Sequence, residues 1–230
     1  MLITTPAFSS MQRLSKALPA APTEEPQSAS NTTDEYVWKP REHQGPDPSV
    51  KLLAVPDTRQ STSYSCGAGA MQAVLMYYGD EYMESDLIQE MGTSPEHGTT
   101  PSAMAEFARE AGYNAEVREN LTLKDLEKAV EDNIPVTVAI QAWRESSLEE
   151  LPWKDRWDDG HYVVVMGLDK NNVYFEDPSM LGSRGVIPRS EFEERWHDVE
   201  GDGRKYFGLG LYITADDQAP KPPAKWLHID

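Results

Sequence analysis

The residues that follow Cys66 are small or apolar almost without interruption. In the run GAGAMQAVLMYY, residues 67–78, apolar side chains fall on most sides of a helical wheel, so the pattern predicts a largely buried helix over Cys66–Tyr78. Gly79 follows directly, and glycine ends helices readily because it adopts a left-handed backbone conformation without steric cost. The first predicted element is therefore a central helix that begins at the only cysteine of the chain.

Three shorter segments downstream have the spacing of amphipathic helices. Ser85 is expected to cap the first of them, DLIQEM. Pro101 opens the second, SAMAEFAREAG, in which apolar residues recur at helical spacing until Gly112. Thr122 is expected to cap the third, LKDLEKAVEDN. The first half of the folded region is therefore predicted to be rich in helices.

The pattern changes to strands in the second half. Residues 135–142, PVTVAIQA, are β-branched and apolar in the middle, which is typical of a central strand. Residues 162–168 and 173–178 are apolar runs on either side of the turn sequence DKNN, and they predict a β-hairpin. A short helix over 190–196 and a last strand over 206–214 are expected to follow. Helices followed by strands indicate an α+β fold with an antiparallel sheet.

Both ends of the chain lack such periodicity. Seven of the 17 prolines lie in residues 1–48, among Ser, Thr, Glu and Gln, so residues 1–49 are expected to be a flexible N-terminal arm. Residues 216–230 have a similar composition and are expected to be a C-terminal tail. The folded domain is predicted to span residues 50–215, a length that suits a single core.

The charge balance of the chain is strongly acidic. Asp and Glu number 39 against 21 Lys and Arg, and the formal charge of -18 repels phosphate backbones, so no nucleic acid partner is expected. The apolar run at 162–168 is far shorter than the roughly 18 residues of a membrane span, so no membrane insertion is expected. With one cysteine and no apolar stretch of secretory-signal length at the N-terminus, a cytoplasmic location is expected. The sequence does not decide the oligomeric state.

Two polar stretches invite other interpretations. The acidic stretch HDVEGDG, residues 197–203, lacks the glutamate that completes a calcium loop, so it is interpreted as a solvated turn. The histidines other than His161 show no metal-ligand spacing, and no metal or cofactor is expected. The tryptophan-rich stretch from Trp143 to Gly160 is either a substrate-facing lid or a loop pinned to the body, and the sequence does not choose between them.

Cys66 stands where the buried helix is predicted to begin. Unpaired N–H groups and the positive end of the helix dipole at that position stabilise a thiolate, the form of cysteine that attacks carbon. A lone cysteine in an arbitrary protein is more often a buried core residue. The decision between the two interpretations therefore rests on the residues that accompany Cys66.

A histidine and an aspartate mark the two outer ends of the predicted hairpin. His161 opens the first strand, and Asp177 closes the second strand sixteen residues later. Because the outer ends of a hairpin lie side by side, the Asp177 carboxylate is predicted to reach one imidazole nitrogen and to leave the other for Cys66. The three residues form a candidate set for nucleophilic catalysis.

Two segments carry a resemblance to a known family: VPDTRQSTSYSCGAGAMQAVLMYYG and GHYVVVMGLDKNNVYFEDPS. Their glutamine, cysteine, histidine and aspartate resemble, in order and spacing, those of the bacteriocin-processing (double-glycine) peptidase family of papain-like cysteine peptidases, in particular stand-alone members without transporter domains. The resemblance covers roughly residues 52–214 and implies a papain-like fold. It further implies that Gln60 donates to the oxyanion hole, Cys66 is the nucleophile, His161 is the general base and Asp177 orients it.

Three functions are compatible with these residues. The resemblance implies a thiol-dependent peptidase that cleaves a peptide bond through an acyl-enzyme, after small residues such as glycine. The same residues also serve an acyltransferase or an amidase that acts on another substrate. The third interpretation is a non-catalytic module that binds a peptide, which the presence of all four residues disfavours. Many members carry an acidic residue where this chain has Ser65, and this departure leaves the identity of the substrate open.

Overall fold

The computed structural model describes residues 45–143 and 151–215. The predicted tail, and the predicted arm up to residue 44, lie outside the described residues, so these two boundaries stay predictions. The first part of the predicted tryptophan-rich loop, residues 144–150, also lies outside them.

Five α-helices occur in the described residues, mostly where the pattern predicts them. The first, α1, begins at Cys66 and ends at Tyr78, and Gly79 follows it with a left-handed φ of 94°. The third begins at Pro101, and the hydroxyl of Thr100 caps it by accepting a hydrogen bond from the Ala103 N–H. The helices are α1 (Cys66–Tyr78), α2 (Glu84–Glu90), α3 (Pro101–Glu110), α4 (Leu123–Glu131) and α5 (Arg189–Arg195).

Within residues 45–143 and 151–215, eight strands form two antiparallel sheets, which confirms the predicted α+β class. The strands are β1 (Asn114–Arg118), β2 (Val136–Gln141), β3 (Gly160–Leu168), β4 (Asn172–Glu176), β5 (Gly185–Pro188), β6 (His197–Val199), β7 (Lys205–Phe207) and β8 (Gly210–Thr214). The large sheet has the order β1-β8-β2-β3-β4-β5, and β6 pairs with β7 in the small one. The predicted hairpin is the pair β3 and β4, with an irregularity in its register between Val165 and Gly167.

Two predicted boundaries are wrong. The expected last strand over 206–214 is two strands, because Gly208 has a φ of 56° and its backbone crosses that of Leu121, so a Cβ there would lie 2.7 Å from the Leu121 carbonyl oxygen. Ser85 is not a cap, since α2 begins one residue earlier. The Glu84 carboxylate in its first turn accepts a hydrogen bond from the Ser61 N–H at 2.9 Å and ties the loop before α1 to α2.

Helix α1 packs against β3 and lies at the centre of the core. Its Met71 and Leu75 side chains are fully buried, as are Val164 and Val165 of β3. Pro178, just after β4, approaches α1 so closely that a Cβ on Gly69 would lie 2.7 Å from the proline ring. Glycine at position 69 therefore allows the end of the hairpin to contact the cysteine-bearing helix one turn after Cys66.

Candidate active site

Cys66 is the first residue of α1, and a tight loop precedes it. Ser65 is fully buried at the N-cap position. Its hydroxyl oxygen accepts hydrogen bonds from the Thr62 hydroxyl at 2.8 Å and from the Thr62 N–H at 3.2 Å. Ser65 therefore holds the loop that positions Cys66.

The hairpin brings His161 and Asp177 into direct contact. His161 Nε2 lies 2.7 Å from Asp177 Oδ1, and both side chains are buried. The other ring nitrogen, Nδ1, remains for Cys66, and the two side chains lie close enough to shift each other's pKa values. The Cys66 thiol is half-buried and free of any disulfide. A hydrogen bond thus fixes the imidazole to the carboxylate, and the thiol lies on the other side of the same ring.

The pKa values of Cys66 and His161 shift in opposite directions. Burial acts to raise the pKa of the Cys66 thiol, but the hydrogen bond and charge of His161, together with the N–H groups of Tyr162 and Gly67, lower it overall. Burial acts to lower the pKa of His161, but its hydrogen bonds to Asp177 and Cys66 and their charges raise it overall. Both shifts favour a thiolate beside an imidazolium.

Gln60 lies beside the histidine and aspartate, and Ser179 connects it to them. The Ser179 N–H donates to Asp177 Oδ1 at 2.8 Å, and the Ser179 hydroxyl donates to Gln60 Oε1 at 3.0 Å. Gln60 Nε2 donates to the Thr62 carbonyl at 2.7 Å, and its backbone N–H donates to the Pro178 carbonyl. One network therefore orients both the Asp177 carboxylate and the Gln60 amide.

Glu176 anchors the segment that leads to Gln60. This fully buried carboxylate at the end of β4 accepts hydrogen bonds from the Thr58 N–H at 2.8 Å and from the Thr58 hydroxyl at 3.2 Å. It also forms an ion pair with Arg184. The Thr58 hydroxyl reaches the Gly69 carbonyl of α1 at 3.0 Å. The sequence analysis did not identify Glu176, Arg184 or Ser179. Glu176 and Ser179 lie within two residues of Asp177, and this proximity in sequence was a signal that could have found them.

A cavity of about 410 Å³ opens beside Cys66. One wall is formed by the loop between α2 and α3, and the other by the segments that flank β3 and β6. Asp198 lines this cavity, and its carboxylate packs on Gly160, where a Cβ would lie 2.5 Å from Asp198 Oδ1. The prediction of a solvated turn over 197–203 is therefore wrong in its first part, since His197–Val199 is strand β6.

Sequence reasoning also missed Asp198, and no local signal indicates it. Asp198 lies beside Gly160 because β6 packs against β2. These two strands are far apart in the sequence, and the fold alone brings them together. The Asp198 carboxylate accepts a hydrogen bond from Gln141 Nε2 in β2 at 3.1 Å. Residues from three separate parts of the chain therefore meet next to His161.

The described part of the tryptophan-rich loop is pinned to the body. Trp153 is buried, and the Arg195 guanidinium of α5 lies 3.7 Å from the centre of its ring. The Lys205 amine lies 3.9 Å from the ring centre of Trp157, which also packs on His197. The contacts of Trp153 favour a structural role, whereas Trp157 additionally lines the cavity beside Cys66.

Within residues 45–143 and 151–215, no group of three or more His, Cys, Asp and Glu side chains is arranged to hold a metal ion. None of the helices there has the length and apolarity to cross a membrane.

A cysteine at the start of a buried central helix, packed on an antiparallel sheet that supplies a histidine, is the arrangement of the papain-like peptidase fold. Comparison with known proteins gives the family. The family model described as the Peptidase_C39 like family matches residues 52–203, and the chain belongs to this family. The predicted resemblance is thereby confirmed.

Solved structures share the fold. The peptidase domain of Streptococcus ComA, a bi-functional ABC transporter involved in a quorum sensing pathway, is 18% identical with a TM-score of 0.52, over 73% of this chain and 99% of that one. A C39-like protein from Bacillus anthracis is 18% identical with a TM-score of 0.55, over 75% of this chain and 100% of that one. A double glycine motif protease from an AMS/PCAT transporter was solved in complex with the leader peptide. It is 21% identical with a TM-score of 0.50, over 72% of this chain and 94% of that one.

Curated relatives match by sequence over a similar region. The pediocin PA-1 transport/processing ATP-binding protein PedD of Pediococcus acidilactici is 25% identical over 142 residues, which are 62% of this chain and only 17% of PedD. An uncharacterized protein of Methanothermobacter thermautotrophicus is 30% identical over 121 residues, which are 53% of this chain and 70% of that protein. The chain thus spans about a sixth of the length of the transporter PedD.

Proposed function

We propose that this protein is a thiol-dependent peptidase in which Cys66 is the nucleophile, His161 the general base and Asp177 the group that orients the imidazole. The observation that carries the proposal is the buried contact of 2.7 Å between His161 Nε2 and Asp177 Oδ1, beside a Cys66 thiol whose pKa His161 lowers. A structural cysteine has no need of a buried imidazole held in one orientation by a carboxylate.

The first half of the reaction forms an acyl-enzyme. His161 takes the thiol proton, and the Cys66 thiolate attacks the carbonyl carbon of the peptide bond to give a tetrahedral intermediate. His161 then returns the proton to the leaving amine, and the C–N bond breaks. Asp177 keeps Nδ1 of the imidazole directed at Cys66 throughout, because it holds Nε2 in a hydrogen bond. In the second half, His161 activates a water molecule that hydrolyses the thioester.

Gln60 is suited to stabilise the oxyanion of both tetrahedral intermediates. Its side-chain amide has two N–H groups, of which one donates to the Thr62 carbonyl. The second N–H and the backbone N–H of Cys66 at the start of α1 supply the two donors of an oxyanion hole. The fixed position of the Gln60 amide between Thr62 and Ser179 provides the preorganisation that such a hole requires.

The proposed substrate is a peptide cleaved after small residues such as glycine. The support comes from the family and from a fold neighbour that is a double glycine motif protease bound to a leader peptide. The transporter relatives carry much more chain than this protein matches, so the proposal concerns the peptidase step alone.

The test is cleavage of peptides that contain a Gly-Gly pair, followed by mass spectrometry of the products. Wild-type protein is expected to cleave on the C-terminal side of glycine, and Cys66→Ala is expected to lose nearly all turnover because no other group replaces the nucleophile. The melting temperature of Cys66→Ala controls for folding. Full turnover in that variant would disprove the proposal.

The same assay separates the alternative functions. With an added amine such as hydroxylamine, an acyltransferase forms the amine adduct as its main product, whereas a peptidase forms mainly the free acid. A non-catalytic binding module retains the peptide but releases neither product, with or without the amine.

A further inference from the structure

The cavity beside Cys66 is lined by carboxylates. Four acidic residues contribute to its walls: Glu96, Asp158, Asp198 and Glu200. No lysine or arginine lines it among the described residues. Since the proposed nucleophile opens into this cavity, the part of a substrate next to the reacting bond has to occupy it. The charge of its walls therefore selects what binds there.

Asp198 is the most telling of the four because it is half-buried and lies against Gly160, next to His161. Its carboxylate accepts hydrogen bonds from Gln141 Nε2 at 3.1 Å and from the Val199 N–H at 2.9 Å. Burial nevertheless raises its pKa to about 6, although these two hydrogen bonds and the charge of His161 act to lower it. Among the described residues, the negative charge of Asp198 is therefore compensated only by these two hydrogen bonds and the charge of His161, and by no lysine or arginine.

Two other shielded carboxylates of this protein, Glu176 and Asp159, are compensated by arginine. Glu176 forms an ion pair with Arg184, and Asp159 forms one with Arg156. Asp198 and Glu200 have no ion pair with a lysine or arginine among the described residues, and Glu200 accepts only a hydrogen bond from the Tyr206 hydroxyl. Asp198 and Glu200, which line the cavity beside Cys66, thus lack the ion pairs that Glu176 and Asp159 form.

We propose that the cavity beside Cys66 binds a cationic side chain of the substrate, a lysine or an arginine close to the bond that is cleaved, with Asp198 and Glu200 as its partners. The inference rests on the proposed function and narrows its substrate class. A lysine or arginine side chain reaches several ångströms from its backbone, and its charge supplies the partner that Asp198 lacks. Gly160 leaves the room for the Asp198 carboxylate beside His161, since a Cβ at this position would lie 2.5 Å from Oδ1.

The first test measures the field at Cys66 without any substrate. Two methanethiosulfonate reagents, one carrying a trimethylammonium group and one a sulfonate, both convert the Cys66 thiolate to a mixed disulfide and release methanesulfinate. The ratio of their rate constants, divided by the same ratio for a free thiol, reports the local charge. Because both reagents attack the same thiolate, a change in the Cys66 pKa cancels in this ratio.

The normalised ratio of rate constants is expected to favour the cationic reagent roughly tenfold or more. An effect of this size is what one weakly screened negative charge a few ångströms from the thiolate would cause. Asp198→Asn and Glu200→Gln are each expected to reduce the preference severalfold. Asp202→Asn is the matched control, because this exposed residue of the same loop does not line the cavity. A normalised ratio near one, or a ratio that neither cavity variant changes, would overturn the inference. Two separate cavity variants keep the test valid where one of them fails to fold.

The second test uses peptide pairs that differ only in lysine or glutamine at one position near a Gly-Gly bond. At one of these positions the lysine peptide is expected to have a roughly tenfold higher kcat/KM, and Asp198→Asn is expected to remove this preference while Asp202→Asn keeps it. Equal rates for all pairs, with cleavage still dependent on Cys66, would reject the cationic substrate and leave the proposed function intact.

Protection of Cys66 separates the two proposals in the opposite case. The lysine peptide is expected to slow alkylation of Cys66 by iodoacetamide more than the glutamine peptide does, and this readout needs no turnover. Selective protection without cleavage of any peptide would support the cationic site and reject the peptidase. No difference in protection would count against the cationic site.

Discussion

Asp177 and Asp198 are two shielded aspartates on either side of His161, and they differ in what surrounds them. Asp177 Oδ1 accepts hydrogen bonds from His161 Nε2 at 2.7 Å and from the Ser179 N–H at 2.8 Å. Asp198 has one side-chain donor, the neutral amide of Gln141, and lies in the wall of an acidic cavity. The first carboxylate is preorganised by the protein, and the second retains capacity for a cationic partner that the described residues do not supply.

This difference separates two tasks that acidic residues perform in one site. A carboxylate that positions a catalytic group has to be fixed before the substrate arrives, because any movement reduces the alignment of the imidazole. A carboxylate that binds a substrate gains most when its charge is left unpaired, because the substrate then provides the compensation. The predictions below test this division, starting with the largest expected effect.

Replacing Asp177 should damage catalysis far more than replacing Asp198. Asp177→Asn is expected to lower kcat about a thousandfold, because an amide no longer holds the imidazole in the required tautomer and orientation. Asp198→Asn is expected to change kcat/KM by only about tenfold, and only for substrates with a cationic side chain. Steady-state kinetics on a lysine peptide and its glutamine counterpart measure both effects. Similar losses in kcat for the two variants would remove the distinction between them.

The pH dependence of Cys66 alkylation tests directly whether His161 activates the thiol. Because His161 lowers the pKa of Cys66, the wild-type thiol should react with iodoacetamide at pH values well below the roughly 8.5 of a free thiol. In His161→Ala only burial and the backbone N–H groups remain, and burial raises the pKa, so the alkylation profile should move to higher pH. Rate constants collected across the neutral range give the profile. Identical profiles would show that His161 does not activate Cys66.

Replacing Ser179 should have a smaller effect, confined to the Gln60 end of its hydrogen-bond network. Ser179→Ala keeps the N–H that donates to Asp177 but removes the hydroxyl that donates to Gln60. The expected result is a fall in kcat of about tenfold, less than the hundredfold of a lost oxyanion donor, with KM unchanged and the Cys66 alkylation profile preserved. Ser179→Thr, which restores a hydroxyl, should recover part of the rate. A shifted alkylation profile would instead indicate that Ser179 acts through His161.

The helix that begins at Cys66 and the contact between His161 and Asp177 could be predicted from sequence because both depend on local features of the chain. Helix α1 begins at Cys66 and ends at Tyr78 as expected, since its apolar pattern is strong and Gly79 ends it. The contact between His161 and Asp177 follows from one hairpin, in which adjacent strands bring their outer ends together over a short separation in sequence. The catalytic roles of these residues remain the proposal tested above.

The elements that sequence reasoning missed share a dependence on distant pairing. Strand β1 alternates between exposed and half-buried positions. It forms because it pairs with β8, which lies almost a hundred residues later in the sequence. Strands β5 and β6 are short and carry no long apolar run. Their hydrogen bonds depend on where the larger elements place their neighbours, and intrinsic preferences of a few residues do not encode that.

The sequence by itself therefore determined the family, the α+β class and the local geometry of the histidine and aspartate, because a strong helix and a tight hairpin specify their own contacts. Only the tertiary structure decided the acidic cavity, because Asp198 reaches Gly160 through the contact of β6 with β2 and not through any neighbour in the chain. Preorganisation of the candidate catalytic residues is a local property of this protein, whereas the charge presented to a substrate arises from residues that only folding brings together.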